Sequence, residues 1–118
     1  IRMAPEKFSV PIGRDALIYA SPLNGAEGAI AATANVKPRL VADIYDKFLA
    51  GDLEGARRAQ RALAPLRLAF SWGTFPVVIK EALDLMGLEG GPGRAPVGPL
   101  TADQRERLKV VLRDMGVL

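Results

Sequence analysis

Residues 29–34, Ala29-Ile30-Ala31-Ala32-Thr33-Ala34, are apolar at almost every position and do not alternate. A strand with one wet face alternates polar and apolar side chains. An unbroken apolar run predicts burial on both faces, the habit of parallel sheets. The side chains are small, so either a neighbour packs close or a cavity lies beside the run. Upstream, Phe8-Ser9-Val10-Pro11-Ile12 predicts a second buried strand that ends at Gly13, with Pro11 where no ladder hydrogen bond is donated. Between them, residues 14–23 predict a helix with Ala16, Leu17, Ala20 and Leu23 on one face, stopped by Asn24-Gly25. Strand, helix, strand with short loops is the unit of a parallel α/β protein.

Everything downstream reads as helix. Leu40, Val41, Ile44, Tyr45, Phe48 and Leu49 form one face, which ends at Gly51. Asp52 is placed to cap the next helix, where Ala56, Ala59, Leu63, Leu66 and Phe70 step by three and four. Pro65 inside it should bend the helix or remove one of its bonds. Pro76 opens a helix through Val78, Ile79, Ala82, Leu83 and Met86, and Gly87 closes it. Residues 88–100, rich in glycine and proline, predict extended loop. Thr101 with Gln104 is a capping box for a last stripe of Leu108, Val111, Leu112 and Met115. The chain therefore divides into residues 1–36, a βαβ portion, and residues 37–118, a helical region. Two parallel strands do not make a stable sheet alone. Either further strands lie upstream in a longer chain or copies of this chain assemble. The opening Ile1-Arg2-Met3, with no leading Met, favours the longer chain.

Composition narrows the chemistry. The chain has 118 residues, 49% hydrophobic and 25% charged, with no cysteine and no histidine. Disulfides, thiolate nucleophiles, Ser-His-Asp triads and nearly all transition-metal sites are excluded. No metal is expected. Net charge is +3, and the excess of arginine falls on Arg57, Arg58, Arg61 and Arg67. Without interleaved aromatics this reads as a solvated helix face rather than a nucleic-acid surface. No apolar run approaches a membrane span, and no leader precedes the first strand. A cytoplasmic location is expected.

Several local features compete for a functional role. Gly90-Gly91-Pro92-Gly93 lacks the Gly-Lys-Ser/Thr ending of a phosphate loop and reads as a spacer. Gly25-Ala26-Glu27-Gly28 precedes a strand and is no dinucleotide fingerprint. Trp72 and Phe75 fit helix packing better than stacking on a ligand. Lys80 could be an amine nucleophile if buried, but Glu81 and Asp84 beside it favour a solvated or ion-paired lysine. The ends of parallel strands are where α/β proteins place ligands, so Gly13 and the Ile30–Thr33 segment stand out, with plain packing as the competing reading.

The segment Gly25-Ala26-Glu27-Gly28-Ala29-Ile30-Ala31-Ala32-Thr33-Ala34-Asn35-Val36 resembles the eighth-strand signature of the dihydrodipicolinate synthase/N-acetylneuraminate lyase family. In order and spacing, so do Pro38-Arg39-Leu40, Gly51-Asp52-Leu53-Glu54-Gly55-Ala56-Arg57, Leu63-Ala64-Pro65-Leu66 and the loop Gly91 to Leu100. Gly13-Arg14-Asp15 is similar to the end of the seventh strand. The resemblance implies the last two strands of a (β/α)8 TIM barrel plus a C-terminal helical extension, mostly helical as a piece. It also implies a class I aldolase mechanism: a lysine forms a Schiff base with pyruvate and a tyrosine relays protons, with no cofactor. Both catalytic residues would precede Ile1, so none lies in this chain. Gly13 and Ile30 match positions whose backbone lines the substrate pocket, and Asp15 matches a polar residue at its rim. Arg14 departs from the acidic residue often found there. The implied partners are pyruvate, a small aldehyde and further copies of the chain in a tetramer or dimer, with no nucleic acid or membrane. The synthases, which use aspartate semialdehyde in lysine biosynthesis, are favoured. Phe75-Pro76-Val77-Val78 keeps only one proline of their Asn-Pro-x-Pro, and the glycine loop is also similar to the family's 2-oxo-acid aldolases. The rival from another class is a non-enzymatic helical module that meets an acidic partner through Arg57, Arg58 and Arg61.

Overall fold

A computed structural model describes residues 3–118. The opening Ile1 and Arg2 lie outside the described residues. Four α-helices carry the architecture: α1 Pro38–Leu49, α2 Leu53–Ala69, α3 Val77–Leu85 and α4 Ala102–Asp114. Short 3-10 turns at Asp15–Leu17, Pro22–Asn24, Ala32–Asn35 and Phe70–Trp72 complete it. The chain forms two compact units, Ile1–Ala34 with Pro38–Ala64 and Asn35–Lys37 with Pro65–Leu118.

The α/β expectation is met only in part. Among the described residues there is no strand, and the two runs read as strands meet at a single parallel bridge, Ile12 to Ala29. The Ile12 N–H donates to the Gly28 carbonyl, and the Ile30 N–H donates to the Ile12 carbonyl, both at 2.9 Å. The ladder stops there for local reasons. The chain turns at Asp15 on one side and at Ala32 on the other. Burial on both faces is absent too: Phe8 is 63% exposed and Ile30 74%. The helix expected over residues 14–23 is instead two 3-10 turns joined by the turn at residues 18–20. Pro22 lacks the N–H a continuing helix needs, and Gly25, with φ of 86°, ends the second turn in the left-handed region.

The first unit is built on Ile18, Ile44, Ala59 and Leu63, with Ile12, Tyr19, Ala29, Ala31, Leu40 and Val41 packed around them. The helical periodicity of α1 puts Ile44 at its centre. Leu49, at the end of the same stripe, is exposed. Tyr19 meets Phe48 edge to face, with ring centres 6.5 Å apart. Asp52 caps α2 through a bond from the Gly55 N–H at 2.8 Å.

The second unit packs α3 against α4. Val77, Val78, Ile79, Ala82, Leu108 and Leu112 are buried within it, and Arg105 pairs with Glu81 at 2.9 Å. The capping box forms: the Thr101 hydroxyl accepts from the Gln104 N–H, and the Gln104 amide oxygen accepts from the Thr101 N–H at 2.8 Å. Helix α2 continues through Pro65 to Ala69. Among the described residues no single helix is long and apolar enough to cross a membrane.

Candidate functional site

The parallel bridge brings the end of the 8–12 segment beside the end of the 28–31 segment, so Gly13 and Ile30 lie next to paired residues. Both are exposed. The Ile30 N–H is committed to the Ile12 carbonyl. Any ligand contact of Ile30 therefore falls to its carbonyl oxygen or its side chain.

Asp15 sits differently. It is only 5% exposed, and its Oδ2 accepts both the Thr33 N–H at 2.8 Å and the Thr33 hydroxyl at 2.6 Å. Thr33 is fully buried. One carboxylate oxygen thus ties the turn after Gly13 to the turn after Ile30. A third residue completes the arrangement. The Gln60 side chain, on α2, donates from Nε2 to the Asp15 carbonyl at 3.0 Å and accepts the Tyr19 N–H at Oε1, 2.9 Å away. The sequence reading passed over Gln60. The signal was present: Ala56, Gln60 and Leu63 step by four and three, which sets a polar residue on the apolar face of α2.

Other candidates resolve plainly. An apolar hollow of about 270 Å³ is lined by Val10, Pro11, Ile12, Leu17, Ala20 and Ala26, among others, and offers little to orient a charged ligand. The Lys80 ammonium donates to the Gly90 carbonyl at 2.6 Å. Lys80 is half-buried, not the buried amine a nucleophile would need, and a neutral peptide oxygen from the glycine loop reaches it. Asp84, one turn further on, accepts the Gly90 N–H at 2.8 Å. The glycines thus act as a spacer whose two peptides flanking Gly90 are anchored to Lys80 and Asp84. Trp72 lies under Arg107, with the guanidinium 4.4 Å from the ring centre. Arg57 and Arg58 both pair with Glu54, which leaves the arginine face partly neutralised. Among the described residues no group of three metal-ligating side chains converges.

One parallel bridge with exposed backbone beside it, followed by helices, is what the described residues keep of the α/β unit read in the sequence. A sequence model of the dihydrodipicolinate synthetase family matches residues 1–115, and the chain belongs to that family. The 4-hydroxy-tetrahydrodipicolinate synthase of Archaeoglobus fulgidus is 34% identical over all 118 residues, which make up 41% of its length. That of Thermus thermophilus is 39% identical over 115 residues, 98% of this chain and 38% of the relative. The crystal structure of dihydrodipicolinate synthase from Thermotoga maritima superposes with a TM-score of 0.91 at 32% identity, over 99% of this chain and 40% of that one. The chain thus spans about two fifths of the length of the relatives it matches. Its mostly helical architecture matches part of their TIM-barrel fold.

Proposed function

We propose that this chain is the C-terminal portion of a pyruvate-dependent Schiff-base lyase, a 4-hydroxy-tetrahydrodipicolinate synthase that condenses pyruvate with aspartate semialdehyde. The observation that carries the reading is the family match over residues 1–115, supported by the named synthases among the relatives. In this reading a lysine outside the 118 residues condenses its amine with the ketone of pyruvate and releases water, and a tyrosine, also outside them, relays protons. Residues 1–36 supply the last two strands of the barrel and residues 37–118 the helical extension. Gly13 and Ile30 present backbone to the substrate, with Asp15 beside them. The enzyme acts in the cytoplasm as a homo-oligomer, dimer or tetramer, and needs no cofactor.

The test is reductive trapping. The whole gene product is incubated with pyruvate and borohydride, and the adduct is mapped by mass spectrometry. A lysine adduct outside these 118 residues is expected. The 118-residue chain alone should give none, because in this reading the Schiff-base lysine lies outside it. No adduct on the whole protein, or one on Lys80, overturns the reading.

A further inference from the structure

We infer that Asp15 is a positioning residue that acts through Thr33, rather than a group that touches substrate. The inference rests on the proposed reading for its functional consequence, though not for its geometry.

A carboxylate at the rim of a ligand site needs an exposed oxygen to offer. Asp15 is 5% exposed, and its Oδ2 takes two hydrogen bonds from Thr33, one from backbone and one from side chain. Among the described residues no buried side-chain oxygen or nitrogen lacks a partner. Charge-assisted bonds of this kind are the stronger ones, and their loss leaves a buried amide unsatisfied. The tie joins two backbone segments that no strand ladder holds together beyond the Ile12–Ala29 bridge. Two residues before Asp15 is Gly13, and three before Thr33 is Ile30. These are the exposed backbone positions proposed to face the substrate. Gln60 fixes the same turn from α2, at the Asp15 carbonyl and the Tyr19 N–H. The buried carboxylate therefore adds a second tie, beyond the Ile30 N–H to Ile12 carbonyl bond, that holds the Gly13 and Ile30 backbones at their spacing.

Four variants of the whole gene product separate the roles. Asp15→Asn keeps an acceptor oxygen and should hold kcat/KM for pyruvate within about threefold. Asp15→Ala removes the tie and should lower it roughly tenfold or more. Thr33→Val should lower it in the same direction, and Thr33→Ser should restore it. If Asp15→Ala does not fold, the Thr33→Val and Thr33→Ser pair carries the test. Equal damage from Asp15→Asn and Asp15→Ala, with Thr33→Val like the parent, would mean direct substrate contact and overturn the inference. So would a lowered Tm with unchanged kcat/KM per folded molecule, the mark of a purely structural role. Amide hydrogen exchange at Thr33 is read alongside and should speed up in Asp15→Ala but not in Asp15→Asn. If the unaltered protein traps no pyruvate, the Schiff-base reading fails by itself. The tie is then decided by exchange, and an unchanged Thr33 rate in Asp15→Ala overturns it.

Discussion

Leu63 shows how much one side chain of the first unit carries. It is fully buried beside Ile18, Ile44 and Ala59. Truncation to alanine removes its contacts and leaves a cavity, a loss of about 3 kcal/mol. Chemical denaturation of the whole protein should show it, and a cost below about 1 kcal/mol would mean that neighbours collapse into the space. Glu106 illustrates a charge at the opposite extreme of exposure. The hydrogen bond from Lys109 holds its carboxyl below the usual range. Desolvation opposes this, and the charges of Lys109, Arg113 and Arg105 reinforce it. A folded-state pKa below the unfolded one stabilises above the unfolded value, and that contribution is lost as pH falls through the folded value. Lys109→Met should raise the carboxyl's titration toward its ordinary range, read by NMR. An unmoved titration would show that Lys109 is not the cause.

Among the elements, α3 and its following loop depend on one close approach. A Cβ added at Gly90 would lie 2.2 Å from the Lys80 backbone carbonyl oxygen, and backbone cannot yield as a side-chain tip can. Gly90→Ala should therefore cost about 1–3 kcal/mol and displace the loop that Lys80 and Asp84 hold. Melting of the variant checks this, and an unchanged Tm would show that the loop moves freely. How much of each element could be read from sequence follows from where its determinants lie. Helices α1 to α4 have their apolar stripes, Asp52, Pro76 and the Thr101–Gln104 box within the segment itself, so local sequence sufficed. Residues 8–34 read as strand, helix, strand because Val10, Ile12 and the 29–34 run carry the right side chains. A ladder also requires partners on both edges, which the run itself cannot supply, and Pro22 breaks the intended helix. Asp15 was singled out by resemblance, yet its bond to Thr33 joins residues 18 apart, a pairing no local pattern displays. Gln60 was visible as a polar residue on an apolar stripe, though not what it would hold.

For the whole molecule, exposed apolar side chains occur in both units: Phe8, Leu17, Leu23 and Ile30 in the first, Leu68, Phe75, Leu88 and Val110 in the second. Exposed apolar surface and unpaired backbone edges favour association. The 118-residue chain made alone should therefore self-associate or melt without cooperativity. Light scattering and calorimetry check this, and a monodisperse monomer with a sharp transition would count against it.

The Gln60 amide carries a donor and an acceptor on one small planar group. It meets a carbonyl at residue 15 and an N–H at residue 19, in that order along the chain. One planar group therefore fastens both ends of the 15–19 turn to α2. Glutamate at this position would keep the acceptor end and lose the other. Slow deamidation of Gln60 would age the protein at that fastening.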